Sequence, residues 1–202
     1  MTTLDNRNQV MAALVEDYVQ HCELHGTGES RIALAHSRKD VHALNQYIRM
    51  ARIAGGELAH EIRVRTAHGD RDFAVGDRVL FTQNDQSTIR NGLLGTVQQI
   101  NDQRITVKMD DRSAPDDMVQ IDHRNFKAFD QGYAATIHKS QGVTVDQAFV
   151  LSSRGMDKHL TYVAMTRHRQ GVHLYKTQDF GRSRPATFEA FRRNKLYRRS
   201  FR

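Results

Sequence analysis

The sequence has little cysteine, few aromatic residues and no long hydrophobic run, and these absences exclude several classes of protein. Cys22 is the only cysteine in 202 residues, so neither an internal disulfide nor a cysteine-based zinc site is possible. No apolar run approaches the ~18–20 residues that span a bilayer, and the first ten residues lack the charged and then apolar pattern of a secretion signal. We therefore expect a soluble cytoplasmic protein without a membrane-spanning segment. Hydrophobic residues at 39% still suffice for the core of one sizeable domain.

The formal net charge of +7 is carried entirely by the end of the chain. Residues 182–202 hold eight Lys or Arg and one acid, whereas residues 1–181 are formally neutral. A basic tail suits phosphate backbones or anionic surfaces. A solvated tail, or the cut end of a longer chain, explains the same charge equally well. Net charge therefore does not identify a nucleic-acid-binding protein here.

Two parts of the chain follow the rhythm of an α/β protein. Apolar residues recur at three- and four-residue spacing from Val10 to Cys22, which predicts a helix that ends at Gly26. Residues 31–36 predict a buried strand, and Ser37 can cap the helix that follows it. Strand, capped turn and helix in succession are the unit of a parallel sheet. The later pattern predicts a helix over 131–140, a strand over 145–151, a helix over 157–169 and a strand over 172–175.

The middle of the chain has a different rhythm, with short strand-like runs about ten residues apart and turn residues between them. These runs cover residues 73–85, 91–100, 104–111 and 117–122. Even spacing and period-two alternation predict a small antiparallel barrel. We therefore expect one α/β domain made of residues 1–66 and 127–181, interrupted by a barrel insertion over 67–126. A basic helix or tail follows at 182–202.

Polar and reactive side chains concentrate in two segments. The first, residues 132–142, holds Thr136, His138, Lys139 and Gln141, and it ends at Gly142, where a backbone or ligand can approach closely. Its hydroxyl, imidazole, ammonium and amide groups suit phosphate oxygens, although the wet face of a helix also explains such a cluster. The second segment ends in Arg167 and Arg169. These cations either complement a helix dipole or reach a nucleotide phosphate.

Together the two segments resemble motifs of superfamily-one helicases of the RecD-like branch. YAATIHKSQGVTVD (133–146) is similar to their motif V, and TYVAMTRHR (161–169) is similar to motif VI. Residues 31–49 resemble the strand and helix at the start of the second motor domain's core. Residues 73–97 resemble the Src-homology-3-like (SH3-like) barrel inserted in that domain. The pattern from about residue 7 to 180 most resembles the helicase portion of TraA-type conjugative relaxases, which nick and transfer plasmid DNA.

The resemblance implies a fold and residue roles. The fold is a RecA-like parallel α/β domain of the P-loop NTPase type that lacks its own Walker A loop and carries an inserted small antiparallel SH3-like β-barrel. The catalytic residue is Arg167, which in relatives contacts the γ-phosphate of ATP held between two RecA-like domains. The residues of the nucleotide cleft are Gln141, Gly142, Arg167 and Arg169. The residues that contact single-stranded DNA are Thr136, His138 and Lys139, with Asn84, Asn91 and Gly92 of the barrel in support.

Several parts of a complete helicase motor are missing from the sequence. Nothing matches GxxxxGK[ST], the phosphate-cradling loop, and no acidic pair stands out as a magnesium site. The arginine-bearing motif IV, expected before residue 1, is absent too. We therefore expect the N-terminal RecA-like domain of the same helicase to be a partner outside this polypeptide, with ATP and Mg²⁺ bound only in the complete helicase. Some relatives hold the ribose with a glutamate where this chain has Thr144, so no ribose contact is assigned.

The resemblance thus implies the C-terminal half of the motor of an ATP-dependent 5′–3′ DNA helicase of the conjugative relaxase type. We expect it to be monomeric, to bind single-stranded DNA and to be inactive as an ATPase alone. The alternative is a non-motor DNA- or protein-binding module with vestigial helicase motifs. A metal hydrolase is disfavoured, and no metal site is predicted, because a set of six histidines shows no ligand spacing such as His-Glu-x-x-His. That set is His36, His42, His138, His159, His168 and His173.

Overall fold

Two sheets of different kind organise the chain, and three helices accompany them in the part that the structure describes. The computed structural model describes residues 1–26, 28–58, 60–85, 89–110 and 117–178, so the predicted basic tail over 182–202 lies outside the described residues. The helices are α1 (Arg7–His25), α2 (Arg38–Ala54) and α3 (Lys158–Met165). The strands are β1 (Thr2–Leu4), β2 (Arg31–Ala35), β3 (Ile62–Thr66), β4 (Gly69–Phe73), β5 (Arg78–Phe81), β6 (Leu94–Ile100), β7 (Arg104–Met109), β8 (Met118–Asp122), β9 (Phe129–Gln131), β10 (Ala134–Thr136), β11 (Val145–Leu151) and β12 (His168–Thr177).

Five strands form a parallel sheet in the order β1-β12-β11-β2-β10. Alternate side chains of β2 pack on opposite faces of this sheet. Ile32 and Leu34 join a core that includes residues of α3, whereas Ala33 and Ala35 join a core with residues of α1 and α2. The expected α/β class with a parallel sheet is therefore confirmed. None of the helices among the described residues is both long and apolar enough to cross a membrane.

The end of α1 and the start of α2 lie where the sequence predicts them. Asn6 caps α1 by accepting the Gln9 N–H at 3.0 Å, and Gly26, at φ +54°, ends it. Ser37 caps α2, since its hydroxyl accepts the Asp40 N–H at 3.1 Å. Side-chain acceptors at these positions satisfy N–H groups that the first helical turn leaves unpaired.

The helix predicted over 131–140 is wrong. The chain there forms the end of β9, then β10, and then a turn. The parallel sheet explains the difference, because Ala134–Thr136 pair with Ala33–Ala35 of β2 as an edge strand. The Asn45 side-chain oxygen also accepts the backbone N–H groups of Tyr133 at 3.0 Å and Ala134 at 2.9 Å, which ties the start of this strand to α2.

The helix predicted over 157–169 ends early. Asp157 caps α3 at the predicted start, but α3 stops at Met165 and β12 begins at His168. His168 pairs with Val145 of β11, so the sheet draws these residues into a strand. Arg167 therefore lies between helix and strand rather than at a helix end, and Arg169 belongs to β12.

An antiparallel insertion separates the two parts of the parallel sheet. Its five-stranded sheet has the order β8-β7-β6-β5-β9, and β3 and β4 form a hairpin of their own. Apolar side chains of both form one core that includes Phe73, Phe81 and Phe129. The hairpin begins at Ile62 and the sheet ends at Gln131, so strands of the insertion extend a few residues beyond the predicted 67–126 on each side.

A buried polar network joins α2, the insertion and the start of β10. Asp77 is fully buried, and the Arg49 Nε lies 3.1 Å from each of its carboxylate oxygens. The Tyr133 hydroxyl donates to Asp77 and accepts from Arg52 Nη1 at 3.0 Å. Burial and the Asp77 carboxylate raise the pKa of Tyr133, so this hydroxyl remains a donor. Arg52 also donates to the Gly76 carbonyl at 2.9 Å.

The backbone at Gly132, between β9 and β10, lies directly against β5. A Cβ added there would lie 2.5 Å from the carbonyl carbon of Val79 and 2.7 Å from the nitrogen of Leu80. Such distances leave no room for any side chain. Glycine at 132 is therefore required where the chain passes from the antiparallel to the parallel sheet.

Candidate functional site

The segment between β10 and β11 runs from the edge of the parallel sheet where its strands end (the carboxyl edge) to the edge where they begin (the amino edge). β10 ends at Thr136 and β11 begins at Val145, and parallel strands place these two ends at opposite edges. We call residues 137–144 the crossing segment. Its Ile137 and Val143 are buried in the core. Ser140 is buried as well. The other residues of the segment are exposed: His138, Lys139, Gln141, Gly142 and Thr144.

Backbone and hydroxyl groups hold the start of this segment in a turn. The Thr136 hydroxyl accepts the Lys139 N–H at 3.2 Å, and the Thr136 carbonyl accepts the Ser140 N–H at 3.0 Å. Ser140 is fully buried and donates to the Ile137 carbonyl at 2.8 Å. The exposed side chains of His138 and Lys139 are not part of these bonds, so the turn displays them.

A cavity of about 470 Å³ opens beside this turn, between α2 and β10 on one side and the insertion on the other. We call it the basic cleft. Residues in its lining include Arg38, His42, His68, Arg71, Thr136 and Lys139. Among the described residues of the lining, Asp130 is the only carboxylate, and it pairs with Arg71 at 2.8 Å. Arg38 and Lys139 therefore give the cleft an excess of positive charge.

The cleft brings together residues that sequence reasoning found and residues that it missed. Thr136 and Lys139 were predicted, and Lys139 Nζ lies 3.3 Å from His68 Nε2 of the β3–β4 turn. Arg38 and Arg71 were missed, because they come from α2 and β4 and only the tertiary fold places them here. No local sequence signal marks them.

The His138 ring approaches His36, which follows β2 at the same edge of the sheet. Their ring centroids are 6.2 Å apart. The predicted DNA contacts Thr136, His138 and Lys139 thus share the carboxyl edge of the parallel sheet with a second imidazole.

The loop between β5 and β6 contacts the crossing segment through its glycine. A Cβ added at Gly92, which has φ +91°, would lie 3.5 Å from Val143 and 3.8 Å from the Lys139 carbonyl. The Asn84 side chain accepts the Asn91 N–H at 2.7 Å, so its oxygen braces this loop. Asn84 and Asn91 are exposed, and the structure brings Gly92 directly against the segment.

Arg167 lies at the opposite, amino edge of the sheet, and it is half-buried. Its Nε donates to the Val163 carbonyl at 2.9 Å, and its Nη2 donates to the Thr166 hydroxyl at 3.1 Å. Its carbonyl accepts the Val145 N–H at 3.0 Å, just after the crossing segment. The guanidinium is thus outside the apolar core, oriented by α3, and bonded through its backbone to the end of the crossing segment.

Arg169 is exposed and lies 3.3 Å from Asp146, through its Nη1 and a carboxylate oxygen. The N–H and hydroxyl of Ser30 each donate to the other oxygen of Asp146 at 2.8 Å. Burial opposes ionisation of this carboxyl, but the bonds from Ser30 and Arg169 outweigh it and lower the pKa of Asp146. Gln141 and Gly142 are exposed, and Gly142, at φ +89°, has open space where a side chain would begin.

A parallel sheet, a segment that crosses it and an antiparallel insertion together define a RecA-like α/β domain. Solved structures share this fold. The Bacteroides Pif1 helicase in complex with ADP-AlF3 and ssDNA is similar with a TM-score of 0.51 and 20% identity, covering 84% of this chain and 49% of that one. The Candida albicans Pif1 helicase gives a TM-score of 0.52 at 14% identity, covering 83% and 53%. At these identities the likeness concerns the fold alone.

Sequence comparison gives the family. Residues 72–176, just over half of the chain, match the viral superfamily 1 RNA helicase core domain. The chain therefore belongs to the superfamily 1 helicases.

The chain is also similar to conjugal transfer proteins and to a DNA helicase. The conjugal transfer protein TraA of Agrobacterium fabrum is 41% identical over 148 residues, which are 73% of this chain and 13% of that protein. TraA of Rhizobium radiobacter is 41% identical over 145 residues, with 71% and 13% covered. The ATP-dependent DNA helicase Pif1 of Bdellovibrio bacteriovorus is 35% identical over 118 residues, with 50% and 26% covered. The chain thus spans only 13% of the length of these TraA relatives.

Proposed function

We propose that this chain is the second RecA-like domain of an ATP-dependent 5′–3′ DNA helicase of the conjugative relaxase type, working as a monomer in the cytoplasm. In this proposal residues 1–66 and 127–181 form the motor domain, residues 67–126 form an SH3-like barrel, and 182–202 are a basic tail. The observation that supports it best is the crossing segment, which connects the basic cleft at one edge of the sheet to Arg167 at the other. A motor needs such a link between its DNA and nucleotide sites.

At the carboxyl edge, the basic cleft suits a single-stranded phosphate backbone. Cations without an equal number of carboxylates attract phosphates whatever the base sequence. Lys139 and Arg38 supply this charge, and the Thr136 hydroxyl and the His138 imidazole add hydrogen-bonding groups. At Gly92 the loop that also holds Asn84 and Asn91 packs against the crossing segment. The insertion would therefore form the second wall of the path taken by the DNA strand.

At the amino edge, Arg167 suits the terminal phosphate of a nucleotide. Its planar guanidinium is always charged and presents parallel donors to phosphate oxygens. Nε and Nη2 are used within the chain, and Nη1 makes no hydrogen bond to any of the residues that the structure describes. The open space at Gly142 leaves room for a ligand, with Gln141 and Arg169 beside it. These features fit ATP, which when bound supplies the phosphoanhydride bond that is hydrolysed.

The remaining nucleotide contacts belong to the N-terminal RecA-like domain of the same helicase, which would hold Mg²⁺ and the other phosphates. Arg167 would stabilise the negative charge that develops on the γ-phosphate during hydrolysis. Its backbone bond to Val145 would pass a shift of the guanidinium to the crossing segment, and from there to Thr136 and Lys139.

An ATPase assay tests the nucleotide half of this proposal. The purified chain should show no turnover above background with or without single-stranded DNA, because it lacks a phosphate-binding loop. In the complete helicase, Arg167→Ala should abolish hydrolysis while leaving ATP binding largely intact. Arg124→Ala, at an exposed arginine of the insertion, is the matched control. Normal hydrolysis by Arg167→Ala would remove this residue from its assigned role.

Fluorescence anisotropy with a labelled oligothymidylate tests the DNA half. The chain should bind weakly, and its affinity should fall steeply as salt rises from 50 to 200 mM (about 10-fold or more). Lys139→Ala and Arg38→Ala should each weaken binding, whereas Lys108→Ala, an exposed lysine of β7, should not. If the complete helicase bound DNA but its ATPase were indifferent to both cleft variants, the chain would instead be a binding module with vestigial helicase motifs.

A further inference from the structure

Three side chains with metal-binding atoms meet at the C-terminal end of α1, far in sequence from the helicase motifs. His21 and His25 are one helical turn apart, and their rings stack with centroids 4.3 Å apart. Glu29 lies beyond the turn at Gly26. Its Oε2 is 3.4 Å from His21 Nε2, and its Oε1 is 3.4 Å from His25 Nδ1. All three ligand atoms lie within 4.8 Å of one another.

The two nitrogen–oxygen distances, each to a different oxygen of Glu29, are longer than hydrogen bonds and close to the separation of ligand atoms around one metal ion. An N–H···O bond has its heavy atoms about 2.7–3.2 Å apart. Ligand atoms bonded to a tetrahedral zinc ion at about 2.0–2.1 Å lie roughly 3.3–3.4 Å from each other. Glu29 Oε2 is also buried without a hydrogen-bond partner among the described residues. A carboxylate oxygen in that position needs a positive partner.

We propose that His21, His25 and Glu29 bind a zinc ion, with water as the fourth ligand. Two imidazole nitrogens and one carboxylate oxygen are a ligand set that Zn²⁺ prefers over Mg²⁺. The ion would fasten the end of α1 to the loop that leads into β2. The His-x-x-x-His spacing is visible in the sequence, but the third ligand depends on the turn at Gly26, which sequence reasoning did not connect with it.

The test is zinc binding by the tag-free chain after removal of bound metal with a chelator. Isothermal titration with ZnCl₂ should give one ion per chain. Zn²⁺ at 100 times its Kd should raise Tm by roughly 5 °C or more, whereas MgCl₂ should not. His25→Gln, at an exposed position, should weaken zinc binding at least about tenfold, equivalent to a loss of about 1.4 kcal/mol. His159→Gln, at an exposed histidine of α3 outside the cluster, is the control and should bind as the parent does.

A second readout covers the case in which a variant folds poorly. Co²⁺ in place of Zn²⁺ should give the intense visible absorption of a four-coordinate site in the parent chain and in His159→Gln, but not in His25→Gln or Glu29→Gln. Circular dichroism before metal addition checks that each variant is folded. Equal zinc affinity in the parent and His25→Gln, or a stoichiometry far below one, would overturn the proposal. Neither result depends on ATP or DNA, so the site is tested separately from the helicase function.

Discussion

Two pairs of arginines in this molecule have opposite surroundings. Arg49 and Arg52 of α2 are buried and bonded to several partners from the insertion and β10. Arg167 and Arg169 flank the start of β12, are partly or fully exposed, and make few bonds within the chain. Burial and the neighbouring carboxylates or tyrosine explain why the first pair is structural. A guanidinium that is oriented but not saturated suits a ligand instead.

The two pairs differ in how many of their donors the fold already uses. Arg49 donates to Asp77 through two nitrogens and contacts Glu61 with a third at 3.0 Å. Arg167 uses two donors on its own helix and cap, which fixes its direction without neutralising its charge. The predictions below test this distinction, beginning with the largest expected effect.

Removing the charge of Asp77 should destabilise the fold most. Asp77→Asn removes the buried counter-charge of Arg49 and leaves it only the exposed Glu61, and we expect a loss of about 3–5 kcal/mol in the free energy of unfolding, measured in urea. Asp72→Asn is the matched control, because it breaks an ion pair with the exposed Arg63 and should cost less than about 1 kcal/mol. Equal effects of the two substitutions would contradict the assignment of Arg49 as a structural arginine.

Removing the Tyr133 hydroxyl should have an intermediate effect. Tyr133→Phe takes a hydrogen bond from Asp77 and another from Arg52, and we expect a loss of about 1–3 kcal/mol in urea unfolding. In a double-mutant cycle, Tyr133→Phe and Asp77→Asn should be strongly non-additive, since they remove the same bond. Simple addition of the two losses would mean that the hydroxyl and the carboxylate act independently.

Removing Arg167 should hardly affect stability. Arg167→Ala deletes two bonds within α3 and its cap, so the loss in urea unfolding should be less than about 1 kcal/mol. Arg52→Ala, the control, should cost clearly more because it removes a buried donor that bonds both the Tyr133 hydroxyl and the Gly76 carbonyl. A large loss for Arg167→Ala would make this arginine structural too.

Arginines stay charged throughout the neutral range, so pH dependence there must come from other groups. Burial lowers the pKa values of His21 and His173, the latter stacked on Phe149. Because the unfolded chain then binds more protons below about pH 6.5, stability should fall as the pH falls through that value. The urea midpoint, measured with a chelator present, should be lower at pH 5.5 than at pH 7.5. The double variant His21→Gln/His173→Gln should reduce the difference between the two urea midpoints. An unchanged difference would mean that other groups cause the pH dependence.

The sequence predicts the local elements of the parallel sheet well but not the residues that tertiary structure brings together. Gly26 predicts the end of α1 and Ser37 predicts the start of α2 through local backbone and capping preferences, and the structure agrees. The helix predicted over 131–140 fails because residues 134–136 pair with β2, and the side chain of Asn45 in α2 binds the backbone at the start of this pairing. No period in the local sequence contains that information.

The candidate site shows the same division. Thr136, Lys139 and Arg167 lie in contiguous motifs, so a sequence alone can single them out. Arg38 and Arg71 enter the basic cleft from separate elements, and they carry no motif of their own. Charge on a cleft wall is a property of the folded surface, which composition and spacing do not encode.

The join at Gly132 has a practical consequence for exchanging the insertion between relatives. The chain leaves α2 through residues 55–61 before β3 begins, but only Gly132 and Tyr133 separate β9 from β10. The second connection is a two-residue splice under tight spatial constraint. The rear seam of a chimaera should therefore keep the native dipeptide.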